Sequence, residues 1–317
     1  MLPFYNSLAN PAASYGECAQ DCGSDMYNEK RIRNSELLQV ILLDTLYAQS
    51  GSERIIFQGG TALRWVYGGT RFSEDLDFVT NLSSTNIIRI LDRTFRHAKR
   101  ACIAQFGPGH LEQKSKSTRK EATKTFFIFR PETQRERIAV KLEFESLNPG
   151  NEPGSQKFIL RDLPSVSGLI TSGKLIMPYS SSIVIAETPE EILSDKIRAI
   201  YERKYLKGRD IYDIWWLRKL LEVAPSWTKV RDKFSMYQTP FVPARKAVYF
   251  QKRASASSIA GAIERDLPRF LPQNILSMHQ EEVFLKFIAA TKEVTSALLD
   301  QGMKKYFEDY ERRKSKS

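Results

Sequence analysis

Apolar positions recur along the chain with two periods, and the switches between them outline the elements. Leu37, Leu38, Ile41, Leu42, Thr45 and Leu46 repeat every three to four residues, which predicts an amphipathic helix over 28–49. Ile55-Ile56-Phe57 is a short β-branched and aromatic run that stops at Gln58-Gly59-Gly60-Thr61. Ala62, Leu63, Trp65 and Val66 then resume helical spacing, giving strand, glycine turn and helix. In Arg71-Phe72-Ser73-Glu74-Asp75-Leu76-Asp77-Phe78, strand alternation sends Leu76 and Phe78 to the core and Asp75 and Asp77 to the opposite face. Asn81 to Ser84 supplies a turn and cap, after which Ile87, Ile88, Leu91, Phe95 and Ala98 define another helix.

Thr125–Phe129 and Ile138–Phe144 read as two strands joined across Arg130-Pro131 to Arg137. In the second, Ile138, Val140, Leu142 and Phe144 share one face while Lys141, Glu143 and Glu145 share the other. A tract rich in Pro, Gly and Ser follows, with short strands expected near Phe158–Leu160 and Ser182–Ile185. Thr188-Pro189-Glu190-Glu191 then opens a helix with Thr as N-cap, Pro at its first position and acids in its first turn; Ile192, Leu193, Ile197 and Ile200 form its apolar face. Asp210–Leu221 and Glu281–Leu299 also read as helical. The expected organisation is a loosely structured arm over 1–27, a core over 28–182 and a helical C-terminal domain over 183–317.

Two carboxylates on one strand face, with Cα atoms roughly 6.5–7 Å apart, can converge on one point. Like charges about 4 Å apart repel by about 1 kcal/mol in water and about 4 at an effective dielectric of 20, so a half-buried pair calls for a counter-charge. A divalent cation supplies one, and Mg²⁺ in particular is held by one or two carboxylates together with substrate phosphates. The plain alternative is a solvated strand end or a helix cap. Upstream, the glycine turn at Gly59-Gly60 allows close backbone approach, and the free N–H groups of the following helix favour an anionic phosphate. Arg64 and Arg71 add fixed positive charge nearby.

These residues carry a resemblance. The run Gly59-Gly60-Thr61-Ala62-Leu63-Arg64, followed by Arg71-Phe72-Ser73-Glu74-Asp75-Leu76-Asp77-Phe78, resembles nucleotidyltransferase toxins of the AbiEii/AbiGii type, which include the mycobacterial MenT-like toxins. A second block matches downstream: Glu191-Ile192-Leu193-Ser194-Asp195-Lys196, then Ala199, Arg203 and Arg209-Asp210-Ile211-Tyr212-Asp213-Ile214. The resemblance spans roughly 30–220. It implies an α+β fold, the mixed sheet of the DNA-polymerase-β-like nucleotidyltransferases with flanking helices, followed by a mainly helical C-terminal domain.

The same resemblance implies a site. Asp75 and Asp77, with Glu143 on a neighbouring strand or Glu145 in its place, would hold Mg²⁺, with Mn²⁺ as the alternative ion. Gly59, Gly60, Thr61 and Ser73 would lie against the triphosphate. Lys196 would contact it, Asp210 would orient Lys196 or assist proton removal, and Asp213 would be a further partner. Nucleotidyl transfer from an NTP to an RNA acceptor follows as the expected activity, with the tRNA 3′ end as acceptor, translation as the casualty and a cognate antitoxin protein as partner. Transfer to a protein hydroxyl, and a silent RNA-binding module of the same fold, stand as alternatives.

Composition narrows the field. The 317 residues suffice for a sizeable core, and 42% hydrophobic content is ordinary for a globular protein. No run approaches 18 apolar residues without a charge, and the N-terminus lacks a basic region followed by an apolar one, so a cytoplasmic location with no membrane partner is expected. Cys18, Cys22 and Cys102 suggest no disulfide framework, and with the scattered His97, His110 and His279 they argue against zinc and against a His-based triad. A net charge of +11 favours a polyanionic partner, nucleic acid being the simplest, although solubility alone would also explain it.

Three basic stretches bear on the partner. Arg231-x-Lys233-Phe234-x-x-Tyr237 and Arg245-Lys246-x-x-Tyr249-Phe250-x-Lys252-Arg253 suit phosphate contact and base stacking on single-stranded RNA, with core packing as the alternative. Lys114 to Lys124 reads as a basic loop, and Arg312, Arg313, Lys314 and Lys316 as a frayed end.

Overall fold

The computed structural model describes residues 28–119, 122–133, 135–176, 182–282 and 284–315. The arm expected over 1–27, with Cys18 and Cys22, lies outside them. Seven strands form one mixed sheet: β1 (Ile55–Gln58), β2 (Asp75–Thr80), β3 (Gly109–Arg119), β4 (Ala122–Pro131), β5 (Ile138–Ser146), β6 (Ser155–Ile159) and β7 (Ile183–Glu187). Their order is β3-β4-β5-β2-β1-β7-β6. β2 runs parallel to β5 and β7 parallel to β1, whereas β1–β2, β3–β4, β4–β5 and β6–β7 are antiparallel. Mixed sheet and flanking helices make an α+β fold. Because β7 pairs with both β1 and β6, residues 183–187 belong to the sheet layer rather than to the helices beyond the expected division at 182.

One sheet face carries the core. The rings of Phe78 and Phe144 stack with centroids 4.9 Å apart, and Tyr47 of α1 (Glu29–Tyr47) packs against Phe78. Phe95 and Phe106 of the second long helix meet Phe127 and Phe129 of β4 on that same side. The Asn28 side chain accepts from the Arg31 amide at 2.9 Å to start α1. Gln39, wholly buried on α1, donates to the Ser73 carbonyl at 2.6 Å and accepts from Trp65 Nε1 at 3.0 Å. Those two bonds tie α1 to α2 (Gly59–Val66) and to the segment entering β2.

The second long helix, α3 (Ser84–Phe106), is capped by Ser83 as the turn predicted. Its buried face is Ile87, Ile90, Leu91, Thr94, Ala98 and Cys102; Ile88, expected on that face, is exposed, because the stripe drifts one position at 3.6 residues per turn. After α4 (Pro164–Thr171), α5 (Pro189–Glu202) begins with Thr188 at the N-cap position, although the Thr188 side chain makes no capping bond. α6 (Gly208–Lys219) and α7 (Trp227–Met236) follow, then helices over Ala254–Asp266, Gln273–Glu281, Leu285–Leu298 and Lys304–Lys314.

Several expectations about the basic stretches are corrected here. Lys114 and Lys124 lie on the paired strands β3 and β4 of a hairpin, not in a loop. Lys233, Phe234, Tyr237 and Phe250 are buried, Tyr249 is half-buried against the core, and Phe234 stacks on Phe241 at 3.8 Å, so these side chains serve mainly the core. Arg245 caps the C-terminal end of α5, donating to the carbonyls of Ile200 at 2.9 Å and of Arg203. Residues 312–314 continue a helix instead of fraying.

Candidate active site

The carboxylates lie on the sheet face opposite the phenylalanine core. Register fixes their neighbours: Asp77 stands beside Glu143 and Asp75 beside Lys141 on parallel strands, while Lys124 of β4 stands across from Glu143. The Lys141 amine is 2.8 Å from Asp75 Oδ2 and 3.2 Å from Glu143 Oε2, and the Lys124 amine is 2.6 Å from Glu143 Oε1. Burial would raise the Glu143 carboxyl, but these two lysines hold it below its ordinary value. Among the described residues Asp77 has no such partner. Burial, with Asp75 and Glu143 close by, pushes its carboxyl above the ordinary range.

A second chain of charges converges from the helices. Asp213 of α6 takes both prongs of the Arg71 guanidinium at 2.6 Å, with both side chains buried. Its Oδ2 is also 2.9 Å from the amine of Lys196 on α5, and that amine is 3.1 Å from Asp210 Oδ1. Asp210 in turn pairs with Arg203. Burial opposes ionisation of Asp210, yet Lys196, Arg203 and Arg209 hold it well below the usual carboxylate range. Lys196 is thereby held between two carboxylates with its amine facing a cleft.

That cleft, of about 490 Å³, is lined by Gly59, Asp75, Asp77, Glu143, Lys196 and Asp210 among the residues anticipated from sequence. Across from the sheet carboxylates, Lys196, Arg203, Lys207 and Arg209 give its helical wall positive charge. Glu145, Asp195, Arg198 and Tyr237 also line it, Arg198 lying 3.6 Å from Glu145 and over the Tyr237 ring. Burial raises the Glu145 carboxyl to about 7, against the pull of Arg198. From sequence, Lys124 reads only as the end of a basic loop and Lys141 only as a neighbour of Glu143 on one strand face, while nothing marks Lys207 or Arg198.

Other anticipated residues support the wall from behind. Gly59 has a left-handed φ of +77°, and a Cβ there would come within 3.2 Å of Asp77 Oδ2. Gly60 leaves room for the Arg71 guanidinium, which a Cβ would strike. The Thr61 hydroxyl donates to the Asp75 carbonyl and stands 2.7 Å from Ser73 Oγ, both side chains being buried. Arg64 is turned away to Glu36 at 2.8 Å and to the Gly69 carbonyl at 3.1 Å. The cleft is therefore built from Gly59, the three acids, Lys196 and Asp210, with Gly60, Thr61, Ser73, Arg71 and Asp213 as the frame behind them.

Whether the acids suit a divalent ion can be judged from the donors. All three offer hard carboxylate oxygen, and the unpartnered Asp77 with its raised carboxyl marks excess negative charge at one point. Lys141 presently neutralises Asp75 and Glu143, and among the described residues no three His, Cys, Asp or Glu side chains are gathered at ligating range. The donor set fits a hard cation that would share Asp77 and compete with the Lys141 amine.

A Gly-turn opening a helix, two strand carboxylates joined by a third on the parallel neighbour, and a lysine on an opposing helix meet in this one cleft. The chain belongs to the AbiEii family, nucleotidyl transferase toxins of type IV toxin–antitoxin systems, whose profile matches residues 41–311. Membership implies an NTP substrate and an antitoxin partner. JHP933 of Helicobacter pylori shares the fold with a TM-score of 0.50 and 19% identity over 87% of this chain and 96% of that one. A second H. pylori chain, provisionally assigned as a nucleotidyltransferase, gives a TM-score of 0.49 and 17% identity over 86% of this chain and 98% of its own. No curated protein matches the chain significantly in sequence. Among the described residues no helix is long and apolar enough to cross a membrane.

Proposed function

We propose that the protein transfers a nucleotide from an NTP to the 3′ end of tRNA in the cytoplasm, blocking aminoacylation and hence translation until an antitoxin intervenes. The division of labour would place the transferase unit up to Glu187 and assign the helices beyond it to closing the cleft and holding Lys196. The observation that carries the reading is the facing of Asp75, Asp77 and Glu143 by Lys196, Arg203 and Arg209 across one cleft. An excess of carboxylates on one wall and of cations on the other suits a cation-bound triphosphate whose phosphorus is approached by a hydroxyl.

In nucleotidyl transfer the acceptor oxygen bonds to the α-phosphorus as the bond to the bridging oxygen breaks and pyrophosphate leaves. Lys196, oriented by Asp210 and Asp213, would sit against the non-bridging phosphate oxygens as a point charge. Gly59 leaves the β1–α2 turn free of a side chain, and Gln58 and Gly59 form the cleft wall there. Asp75, Asp77 and Glu143 would hold Mg²⁺ or Mn²⁺, which when bound stabilises charge on the entering and leaving oxygens. Arg203 and Arg209 would take up charge developing on the departing pyrophosphate.

Incubation of the protein with α-labelled NTPs, Mg²⁺ and total tRNA tests the reading. Label on tRNA that disappears in Asp75→Ala is the expected result. Label that persists undiminished in that variant overturns the mechanism, and label found only on protein moves the acceptor to a protein hydroxyl.

A further inference from the structure

A second cavity, of about 510 Å³, is lined by Arg31, Arg130, Arg135, Arg137, Glu136 and Ala139, among others. Four arginines and one acid, Glu136, line it, and all four arginines are exposed. Arg130 is pinned by Glu112 at 2.8 Å. Arg31, Arg135 and Arg137 make no side-chain hydrogen bond or ion pair among the described residues. Three unpaired guanidinium groups around one concavity repel each other and call for an anion.

The place of this cavity on the sheet says which anion. Ala139 on β5 has the same parity as Lys141 and Glu143, so it lies on the face that carries the catalytic carboxylates. On β4, Arg130 shares that face with Lys124, the cross-strand partner of Glu143. Four residues of strand separate Ala139 from Glu143, about 13 Å. Between them on that face stand Lys141, paired with Asp75 and Glu143, and the β4 residues Ile128 and Phe126 across from Ala139 and Lys141. A polymer of phosphates lying on this face could reach both the arginine cavity and the cleft. A planar guanidinium fork matches phosphate oxygens in two-pronged fashion, which lysine does not.

We propose that Arg31, Arg135 and Arg137, with Arg130 behind them, form a docking site for the phosphodiester backbone of the acceptor RNA, upstream of the 3′ end held in the cleft. The inference rests on the proposed RNA acceptor. Backbone contact of this kind positions a strand without reading its bases. The site therefore sets acceptor affinity and register, while the cleft sets the chemistry.

The test measures binding of 5′-fluorescent tRNA by anisotropy across a series of salt concentrations, for the full chain and for the triple variant Arg31→Glu/Arg135→Glu/Arg137→Glu. Loss of about three phosphate contacts should weaken binding by about tenfold or more and flatten the slope of log K against log salt by about 2. Binding of a fluorescent NTP analogue should be unchanged, which reports an intact fold. The neutral Arg→Gln set at the same positions should lose less in the same direction, so that a misfolded charge-reversal variant leaves the question decidable. Unchanged tRNA affinity and salt slope, with wild-type labelling of tRNA still dependent on Asp75, overturn this inference alone. Wild-type protein that neither binds nor labels tRNA overturns it together with the proposed acceptor. If the variant keeps tRNA but releases poly-glutamate, the cavity serves an acidic protein segment and the proposal fails.

Discussion

Asp213 grips Arg71 with both carboxylate oxygens at 2.6 Å and at the same time holds the Lys196 amine at 2.9 Å. One buried side chain on α6 thus joins the segment entering β2 to the cleft lysine on α5. Removing it strands a buried guanidinium. Asp213→Ala should therefore lower stability by about 3–5 kcal/mol. Urea unfolding followed by fluorescence reads this, and a variant with full stability but no activity would show that Asp213 acts on substrate instead.

The glycine turn yields two separable effects. Gly60→Ala places a methyl group against the Arg71 guanidinium and within 3.3 Å of Ser73 Oγ, overpacking worth about 1–3 kcal/mol. Gly59→Ala forces a side chain into a left-handed conformation, about 1–2 kcal/mol, and presses on Asp77. Both should destabilise, but only the second touches a cleft carboxylate directly. Nucleotidyl transfer per folded molecule should accordingly fall further in Gly59→Ala than in Gly60→Ala.

The convergence of the candidate residues on one cleft was largely legible because they follow local rules. Strand alternation puts Asp75 with Asp77, and Lys141 with Glu143, before any tertiary structure is known. Two residues three apart on a helix, Asp210 and Asp213, can both reach one lysine on a neighbouring helix. Arg71 reads from sequence only as fixed positive charge beside the glycine turn, because the partner that buries it, Asp213, lies 142 positions away. Lys233 misled for a similar reason: its carboxylates, Glu187, Glu191 and Asp195, sit on β7 and α5, well before α7. Nothing in the local pattern separates such a buried lysine from a surface one. The β3–β4 hairpin was obscured because its Lys, Ser and Thr content matches a loop, and strand identity there comes from pairing with hydrophobic β4.

Asp77 should show a conflict between stability and function. Its carboxyl is raised in the folded protein, so between the unfolded and folded values the native state binds more protons than the unfolded one, and stability falls as pH rises through that window. Asp77→Asn removes the cause. The variant should melt higher than wild type at pH 7.5 and lose that advantage at acid pH, where the wild-type carboxyl is protonated, while transfer is abolished. Mg²⁺ should raise the melting temperature of wild type through binding to the native state and do so far less in Asp77→Asn. Equal shifts in both proteins would remove Asp77 from the proposed ion site.

Lys233 provides a pH experiment of the opposite kind. Its amine is wholly buried, 2.7 Å from Glu187 Oε1, 2.8 Å from Asp195 Oδ2 and 3.2 Å from Glu191 Oε2. Burial works against its charge, but Asp195, Glu187 and Glu191 raise its value above the ordinary one, so its contribution is complete at neutral pH and fades only in strong alkali. Burial raises the Glu187 carboxyl even with Lys233 present. In Lys233→Met the three acids lose their shared cation, and the folded value of Glu187, already raised by burial, must climb further. Native protein then binds more protons than unfolded protein as pH falls, so acid should repair part of the damage. Unfolding in urea should show a deficit of about 3–5 kcal/mol at pH 7.5 that narrows towards pH 5. Because Asp195 precedes Lys196 on α5 and also accepts from Tyr237 at 2.5 Å, the variant should also lose transfer activity at neutral pH. A stability gap that widens on acidification would mean that Lys233 is not the counter-ion of these acids.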